Sequence, residues 1–253
     1  MILEAFDLKG KVALVTGCNT GLGQGMAVAL AQAGCDIVGV NYADAADTPE
    51  LVQAAGQRFF SITADLSDQQ VITKVVDEAV GLAGRIDILV NNAGIIRRAD
   101  AIEFTEKDWD DVMDINIKSV FFLSQAVARQ FLSQGQGGKI INIASMLSFQ
   151  GGIRVPSYTA SKSAVMGITR LLANEWASQG INVNAIAPGY MATNNTAALR
   201  ADADRNQEIL SRIPAQRWGL PSDLAGPVVF LASPASDYVN GYTIAVDGGW
   251  LAR

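Results

Sequence analysis

The sequence predicts a single α/β domain in which a doubly wound parallel sheet of about seven strands carries helices on both faces. Short apolar runs, which are typical of strands buried on both faces, alternate with longer segments of helical periodicity. A glycine-rich turn directly follows the first of these runs. In addition, the 253 residues contain no linker, repeat or low-complexity stretch that would divide the chain.

In the first half of the chain, strand and helix patterns alternate without interruption. Strand patterns cover residues 11–16, 36–41, 58–63 and 86–91. Helical patterns cover residues 26–33, 67–83 and 105–134. Asn116 stands in the middle of the last helix, where asparagine is unfavourable because its side chain competes for backbone hydrogen bonds. It therefore indicates a kink or a buried polar network, unless it simply faces solvent.

The second half continues the alternation with one interruption. Strand patterns cover residues 140–143, 181–187 and 242–246. Helical patterns cover residues 156–179 and 223–232. The interruption, from about residue 190 to 220, is polar and rich in arginine, and a segment of this kind between compact elements is typical of a substrate lid. We therefore predict one domain, residues 1–253, with an irregular lid at about 190–220.

The glycine-rich turn lies between the first strand and the first helix, which is the context of a Rossmann-type dinucleotide site. Gly17 and Gly21 would allow a tight turn and the close approach of a pyrophosphate, and Gly23 would let the helix start close to the strand. The unpaired N–H groups of the helix N-terminus favour anions such as the cofactor phosphates. The flanking elements favour this interpretation over an ordinary strand–helix turn.

The end of the second strand bears on the choice between NAD and NADP. Asn41 stands where NAD-binding folds commonly place an acid, and it can still hydrogen-bond a ribose hydroxyl. No Lys or Arg occurs between Lys11 and Arg58, although a 2′-phosphate needs a cation in this region. The three acids that follow Asn41 would repel that phosphate. The sequence therefore predicts NAD as the cofactor.

The most informative stretch runs from Gly138 to Lys162. Ser145 ends its apolar strand, and Tyr158 and Lys162 are four residues apart on a predicted helix, so their side chains share one face. Proton transfer to or from an alcohol requires such a convergence. A nearby ammonium would lower the tyrosine pKa from ~10, and a shift of about three units corresponds to ~4 kcal/mol. In isolation, a Tyr-x-x-x-Lys pair more often marks a half-exposed helix face.

The composition excludes several function classes. Hydrophobic residues make up 49% of the chain, which suffices for a sizeable core, and the net charge of −6 argues against nucleic acid or an anionic membrane as the main partner. No apolar run approaches the ~18 residues of a membrane span, and the N-terminus lacks a secretory signal, so we expect a cytoplasmic protein. With no histidine and only two cysteines, we expect no metal site.

Together these residues resemble the short-chain dehydrogenase/reductase family. Its glycine motif appears here as Gly17-x-x-x-Gly21-x-Gly23, and its ribose-side motif begins at Asn91 and ends at Gly94. Four positions match the family's catalytic tetrad, namely Asn116, Ser145, Tyr158 and Lys162. The resemblance covers nearly the whole chain and implies NAD(H)-dependent oxidoreduction and assembly as a homotetramer. The one departure is Asn41, which replaces the usual acid.

The resemblance also implies roles for individual residues. Tyr158 would exchange a proton with the alcohol or ketone, and Lys162 would lower the tyrosine pKa and hold the nicotinamide ribose. Ser145 would fix the reacting oxygen, and Asn116 would hold a water that links Lys162 to solvent. Asp65 would bind the adenine or cap the following helix, or both. The implied cofactor contacts are Gly17, Asn19, Thr20, Gly21, Leu22, Gly23, Asn41, Asp65, Leu66, Asn92, Ala93, Gly94, Tyr158, Lys162, Pro188, Gly189, Met191 and Thr193.

Within the family, residues 143–162, 187–196 and 240–253 most resemble members that act on a small keto sugar acid. The substrate carboxylate then needs a cation. We select Arg154, which lies between Ser145 and Tyr158 in the sequence, although it can equally be a plain surface charge. The competing residues are Arg97, Arg200 and Arg217.

Two other functions are compatible with parts of this pattern. Reductases of β-ketoacyl thioesters share the fold and tetrad, but they usually take NADPH and carry basic residues around the glycine turn, and none is present here. A catalytically silent NAD-binding module would also explain the glycine turn. It has no need of a complete tetrad, which argues against it.

Overall fold

The computed structural model describes all 253 residues and contains the predicted parallel sheet. Its strands are Val12–Thr16 (β1), Asp36–Asn41 (β2), Phe59–Thr63 (β3), Ile88–Asn91 (β4), Gly138–Ile143 (β5), Ile181–Pro188 (β6) and Thr243–Val246 (β7). They are ordered β3-β2-β1-β4-β5-β6-β7, with every neighbouring pair parallel. The chain reverses its direction of winding between β1 and β4, where doubly wound sheets open a ligand crevice beyond the carboxyl ends of their strands.

Helices cover both faces of the sheet. They are Gly21–Gln32 (α1), Thr48–Ala54 (α2), Val71–Ala83 (α3), Glu106–Met113 (α4), Ser119–Gln134 (α5), Pro156–Trp176 (α6), Ala197–Ala201 (α7), Ala203–Arg212 (α8) and Ala225–Ala232 (α9). Helices α1, α2 and α9 contribute to the core on one face, and α3, α5 and α6 to the core on the other. The predicted α/β fold is therefore confirmed. None of the helices combines the length and the hydropathy that a membrane crossing requires.

The sequence of strand β1 is apolar from Val12 to Val15, without the alternation of apolar and polar residues that a half-exposed strand shows. All five of its residues are buried. Ala13 and Val15 belong to the core under α1 and α9, whereas Val12 and Leu14 belong to the core under α3 and α5. Because successive side chains of a strand point to opposite faces, a strand covered on both sides must be apolar throughout.

The long helix expected over residues 105–134 is interrupted by a π-helical turn at Asp114–Lys118. Asn116 lies in this turn and is completely buried. A π turn has i→i+5 hydrogen bonds, one residue more per turn than an α-helix, and it often occurs at functional sites. The predicted irregularity at Asn116 is thus confirmed, and a solvent-facing position is excluded.

Two expectations from the sequence are wrong. Helix α2 was not predicted, because a seven-residue helix is too short to show a clear hydrophobic period. The segment from 190 to 220 is not irregular, since it contains α7 and α8. Helix α8 is anchored by Ile209, which is buried in a small cluster with Met146, Ile213 and Trp250.

Candidate active site

A cavity of about 1350 Å³ opens at the carboxyl edge of the sheet, around the point where the winding reverses. Typical small-molecule pockets occupy ~300–1,000 Å³, so this cavity has room for a dinucleotide together with a small substrate. Its wall contains most of the residues selected from the sequence. They are Gly17, Asn19, Thr20, Gly21, Leu22, Gly23, Asp65, Leu66, Asn92, Ala93, Gly94, Ser145, Arg154, Tyr158, Lys162, Gly189 and Thr193.

The glycine turn leaves no room for a side chain at Gly17 or Gly23. A Cβ atom on Gly23 would lie 2.1 Å from the carbonyl oxygen of Gly17, and Gly17 itself has a φ of +64°. Asn92 fixes the turn, because its Nδ2 donates to the carbonyl oxygens of Thr16 and Gly17 at 3.0 and 2.9 Å. The side chain of Thr20 does not cap α1, so the first N–H groups of this helix remain free beside the cavity. This cradle fits a pyrophosphate.

The adenosine end of the cavity differs from the expectation at Asn41. Its side chain is buried, with Nδ2 3.7 Å from Cys18 Sγ, and the cavity wall is formed instead by its neighbours Tyr42 and Ala43. Asn41 therefore lies behind the cavity wall, and its Oδ1 has no hydrogen-bond partner within the protein. Burial raises the pKa of the Cys18 thiol to about 11, which leaves it protonated and unreactive.

Asp65 caps the segment that follows β3 and also lines the cavity. Its Oδ1 accepts hydrogen bonds from the Ser67 amide at 2.9 Å and from the Ser67 hydroxyl at 2.7 Å. The capping role is present, and the position also allows contact with an adenine.

Pro188 and Met191 do not belong to the cavity wall, whereas Gly189, which lies between them, does.

Asn116 is hydrogen-bonded to two parts of the site. Its Oδ1 accepts from the Ile95 amide at 2.8 Å, and its Nδ2 donates to the Ile95 carbonyl at 2.9 Å and to Ser161 Oγ at 3.2 Å. The asparagine therefore joins the loop after β4 to α6, one residue before Lys162. Its polar groups form the buried network that the sequence indicated.

Lys162 is buried, with its ammonium directed at the end of β5. Its Nζ donates to the carbonyl oxygen of Ile143 at 2.7 Å and lies 5.6 Å from the ring centroid of Tyr158. Burial penalises the charged form and lowers the lysine pKa to about 8. Lys162 and Tyr158 thus converge as their four-residue spacing predicted.

The pKa of Tyr158 does not follow the expectation. Burial raises it, while a hydrogen bond with Ser145 and the positive charge of Arg98 act in the opposite direction. The lysine ammonium is occupied by the Ile143 carbonyl, and desolvation of the phenol is the larger effect. In the protein without cofactor or substrate, Tyr158 is therefore a protonated phenol at neutral pH. This form can donate a proton.

Ser145 is held both by its own loop and by Tyr158. The Leu147 amide donates to Ser145 Oγ at 3.2 Å, so a lone pair of the hydroxyl is already engaged. The hydroxyl also shares a hydrogen bond with Tyr158, so the serine and tyrosine oxygens meet at one point of the cavity wall.

The arginines around the substrate end differ in how they are paired. Arg154 is exposed and lies 3.1 Å from Asp100, and Arg97 is held by Asp108 and Asp111 at 3.5 and 3.3 Å. Arg200 and Arg217 lie outside the cavity wall. Arg98, which is not among the residues predicted from the sequence, lies exposed on the cavity wall and, unlike Arg97 and Arg154, forms no ion pair. Its adjacency to Arg97 in the sequence gave no indication of this difference.

Comparison with known proteins places these features in context. The family model described as Enoyl-(Acyl carrier protein) reductase matches residues 17–251. The chain is 76% identical to the 2-dehydro-3-deoxy-D-gluconate 5-dehydrogenase of Dickeya dadantii (strain 3937) and 74% identical to that of Escherichia coli (strain K12), covering 100% of both chains each time. A solved gluconate 5-dehydrogenase from Burkholderia cenocepacia J2315, in complex with NADP and tartrate, is 40% identical with a TM-score of 0.95, covering 100% of each chain.

Proposed function

The chain belongs to the short-chain dehydrogenase/reductase family, and we propose that it is an NAD(H)-dependent enzyme that interconverts 2-dehydro-3-deoxy-D-gluconate and 3-deoxy-D-glycero-2,5-hexodiulosonate. Relatives that are 76% and 74% identical over their full length carry the first of these substrates in their names. The observation that carries the proposal is the convergence of Ser145, Tyr158 and Lys162 on one cavity wall, beside the glycine turn. Breakdown of pectin-derived uronates would supply such a substrate.

The proposed proton transfer uses the Ser145 hydroxyl, the protonated Tyr158 phenol and the Lys162 ammonium. In the reductive direction the ketone oxygen accepts a hydrogen bond from Ser145 and a proton from Tyr158. The nicotinamide cofactor, when bound, supplies or takes up the hydride. Lys162 lies beneath the tyrosine ring, where its positive charge would stabilise the phenolate that remains after proton donation. In the oxidative direction this phenolate takes the alcohol proton back.

NAD is proposed as the preferred cofactor because of the charges near the end of β2. Tyr42 and Ala43 form the cavity wall there, and the next residue, Asp44, is exposed and acidic. A 2′-phosphate at this place would meet negative charge and no cation. Arg58, the first basic residue downstream of the glycine turn, is engaged with Asp36 at 2.6 Å. The solved relative with bound NADP makes NADPH the cofactor to measure in parallel.

Arg98 is proposed as the main partner of the substrate carboxylate, with Arg154 at the rim of the cavity. A carboxylate gains most from a cation that has no other partner, because no existing ion pair has to be broken. Arg98 meets this condition, whereas Arg154 already faces Asp100. Arg98 and Tyr158 line the same cavity, and the positive charge of Arg98 acts to lower the tyrosine pKa, which supports this assignment.

Assembly and the lid complete the proposal. Helices α5 and α6 leave Phe122, Leu132 and Leu171 exposed, which supports a homotetramer formed through these helices.

The segment at 190–220 contributes Thr193, Asn194 and Leu199 to the cavity wall, which supports the role of this segment as a substrate lid.

Reduction of β-ketoacyl thioesters is the second candidate, because a 3-oxoacyl-[acyl-carrier-protein] reductase of Staphylococcus epidermidis is 40% identical over 94% of this chain. Purified protein should therefore receive NADH or NADPH with either 3-deoxy-D-glycero-2,5-hexodiulosonate or acetoacetyl thioester. We expect rapid loss of nicotinamide absorbance with the keto sugar acid and NADH. Faster turnover of the thioester would replace the proposed substrate with the second candidate.

A further inference from the structure

Ser148 lies behind the catalytic wall and contacts the backbone on both sides of it. Its side chain is buried, with 8% of the residue exposed, and it is not part of the cavity wall. Its Oγ accepts a hydrogen bond from the Ser145 amide at 3.3 Å and donates one to the Lys162 carbonyl at 2.6 Å. One hydroxyl group therefore joins the loop that carries Ser145 to the helix that carries Tyr158 and Lys162.

We propose that Ser148 is a positioning residue that fixes the distance between the Ser145 hydroxyl and the Tyr158 phenol during proton transfer. The inference rests on the proposed hydride-transfer function, because only then must both groups contact the same substrate oxygen. Small misplacements of reacting groups slow the chemical step strongly, while binding of a cofactor elsewhere in the cavity is little affected. Ser148 acts through Ser145 and Lys162 and does not itself touch the substrate.

Other contacts that join these two elements do not replace this bridge. Lys162 Nζ donates to the Ile143 carbonyl at 2.7 Å, and Asn142 Nδ2 donates to Thr169 Oγ1 at 3.0 Å, so α6 remains attached to β5 without Ser148. Both of these contacts end at β5, before the loop begins, and the contact from Ser163 Oγ to the Leu147 carbonyl at 3.4 Å reaches the loop but is exposed and does not hold Ser145. Removal of the Ser148 hydroxyl should therefore leave the fold intact while the Ser145 loop moves relative to Tyr158.

Ser148→Ala removes this hydroxyl, and Ser163→Ala is the matched control. Ser163 Oγ also donates from α6 to this loop, at 3.4 Å to the Leu147 carbonyl, but it is exposed and does not contact Ser145. In Ser148→Ala we expect kcat to fall about tenfold, with KM for the keto sugar acid and Kd for NADH changed by less than about twofold. Ser148→Thr, which retains a hydroxyl, should recover most of the loss.

Hydrogen exchange gives a second measurement that does not depend on activity. The Ser145 amide should exchange faster in Ser148→Ala, because its acceptor is gone, and should be unchanged in Ser163→Ala. Unchanged kcat in Ser148→Ala, or equal losses in both variants, would overturn the proposal. If the protein without substitutions turned over no keto sugar acid, the proposed function would be contradicted. The hydrogen-exchange measurement would still show whether the Ser148 hydroxyl joins the Ser145 loop to α6.

Discussion

The buried ammonium of Lys162 donates to the carbonyl oxygen of Ile143 at 2.7 Å, at the last residue of β5. This contact anchors the lysine to the sheet and holds its charge beneath the Tyr158 ring, 5.6 Å from the ring centroid. The ammonium is kept in a site that penalises its charge, since burial lowers its pKa to about 8. The position therefore costs stability, as expected of a residue that is kept for the proposed chemistry.

The first prediction concerns this cost. Lys162→Met should abolish turnover and yet raise the free energy of unfolding at pH 7 by about 2 kcal/mol. The pKa depression corresponds to roughly 3 kcal/mol, and the lost hydrogen bond to Ile143 offsets about 1 kcal/mol. Urea unfolding of both proteins measures the difference.

The pH dependence of that difference has a definite sign. Because the folded-state pKa of about 8 lies below the unfolded value of about 10.5, the unfolded chain binds more protons between these values. The stability contributed at Lys162 therefore rises with pH through this window. The advantage of Lys162→Met should be largest below pH 8 and shrink towards pH 10.5. An advantage that is independent of pH would contradict this explanation.

The second prediction concerns the glycine turn. Gly23→Ala should weaken NADH binding at least tenfold, because its Cβ would lie 2.1 Å from the Gly17 carbonyl and would displace the start of α1. Fluorescence titration with NADH measures this loss. Gly81→Ala is the control, since Gly81 lies in α3 with nothing within 4 Å of a new Cβ. It should leave binding unchanged and stabilise the fold by ~1 kcal/mol.

The third prediction separates the two arginines at the substrate end. Arg98→Ala should raise KM for the keto sugar acid at least tenfold, because a charge-assisted hydrogen bond contributes ~1.5–3 kcal/mol. Arg154→Ala should raise it less, since both arginines are exposed but only Arg154 already faces an acid, Asp100. Initial rates over a range of substrate concentrations decide between them. A larger effect in Arg154→Ala would return the carboxylate to the residue that the sequence favoured.

The fourth prediction concerns cofactor choice. Ala43 is exposed and lies on the cavity wall immediately after Tyr42. Ala43→Arg should lower KM for NADPH about tenfold and change KM for NADH little, because it supplies the cation that a 2′-phosphate requires. Ala43→Gln, of similar length but neutral, is the matched control. Equal KM values for NADPH in the two variants would show that charge does not set the preference.

The sequence predicted the parallel sheet and the shared helix face of Tyr158 and Lys162, because both depend on local spacing. Ser145 was identified by its place at the end of a strand pattern and by the family resemblance. A run such as Val12–Thr16 can be buried only between two layers, and residues four apart on a helix must share a face. The same reasoning detected Asn116 as an irregular position. It did not determine that a π turn would bury the side chain against Ile95 and Ser161.

The parts that were missed depend on contacts between distant segments. Asn41 ends β2 as expected, but its side chain is buried against Cys18 and is not part of the cavity wall. Arg97 and Arg98 are adjacent in the sequence, and only the position of Asp108 and Asp111 distinguishes the paired from the unpaired cation. The pKa of Tyr158 likewise reflects burial by the whole fold.

The most direct test of the proposed chemistry is the rate of NADH oxidation in Tyr158→Phe, with NADH affinity measured on the same preparations. Phenylalanine retains the ring and removes only the hydroxyl that donates the proton. The rate with the keto sugar acid should fall by about 10²–10⁴, while Kd for NADH changes by less than about twofold. If Tyr158→Phe oxidised NADH as fast as the unchanged chain, the proton would come from another group and the proposed mechanism would be wrong.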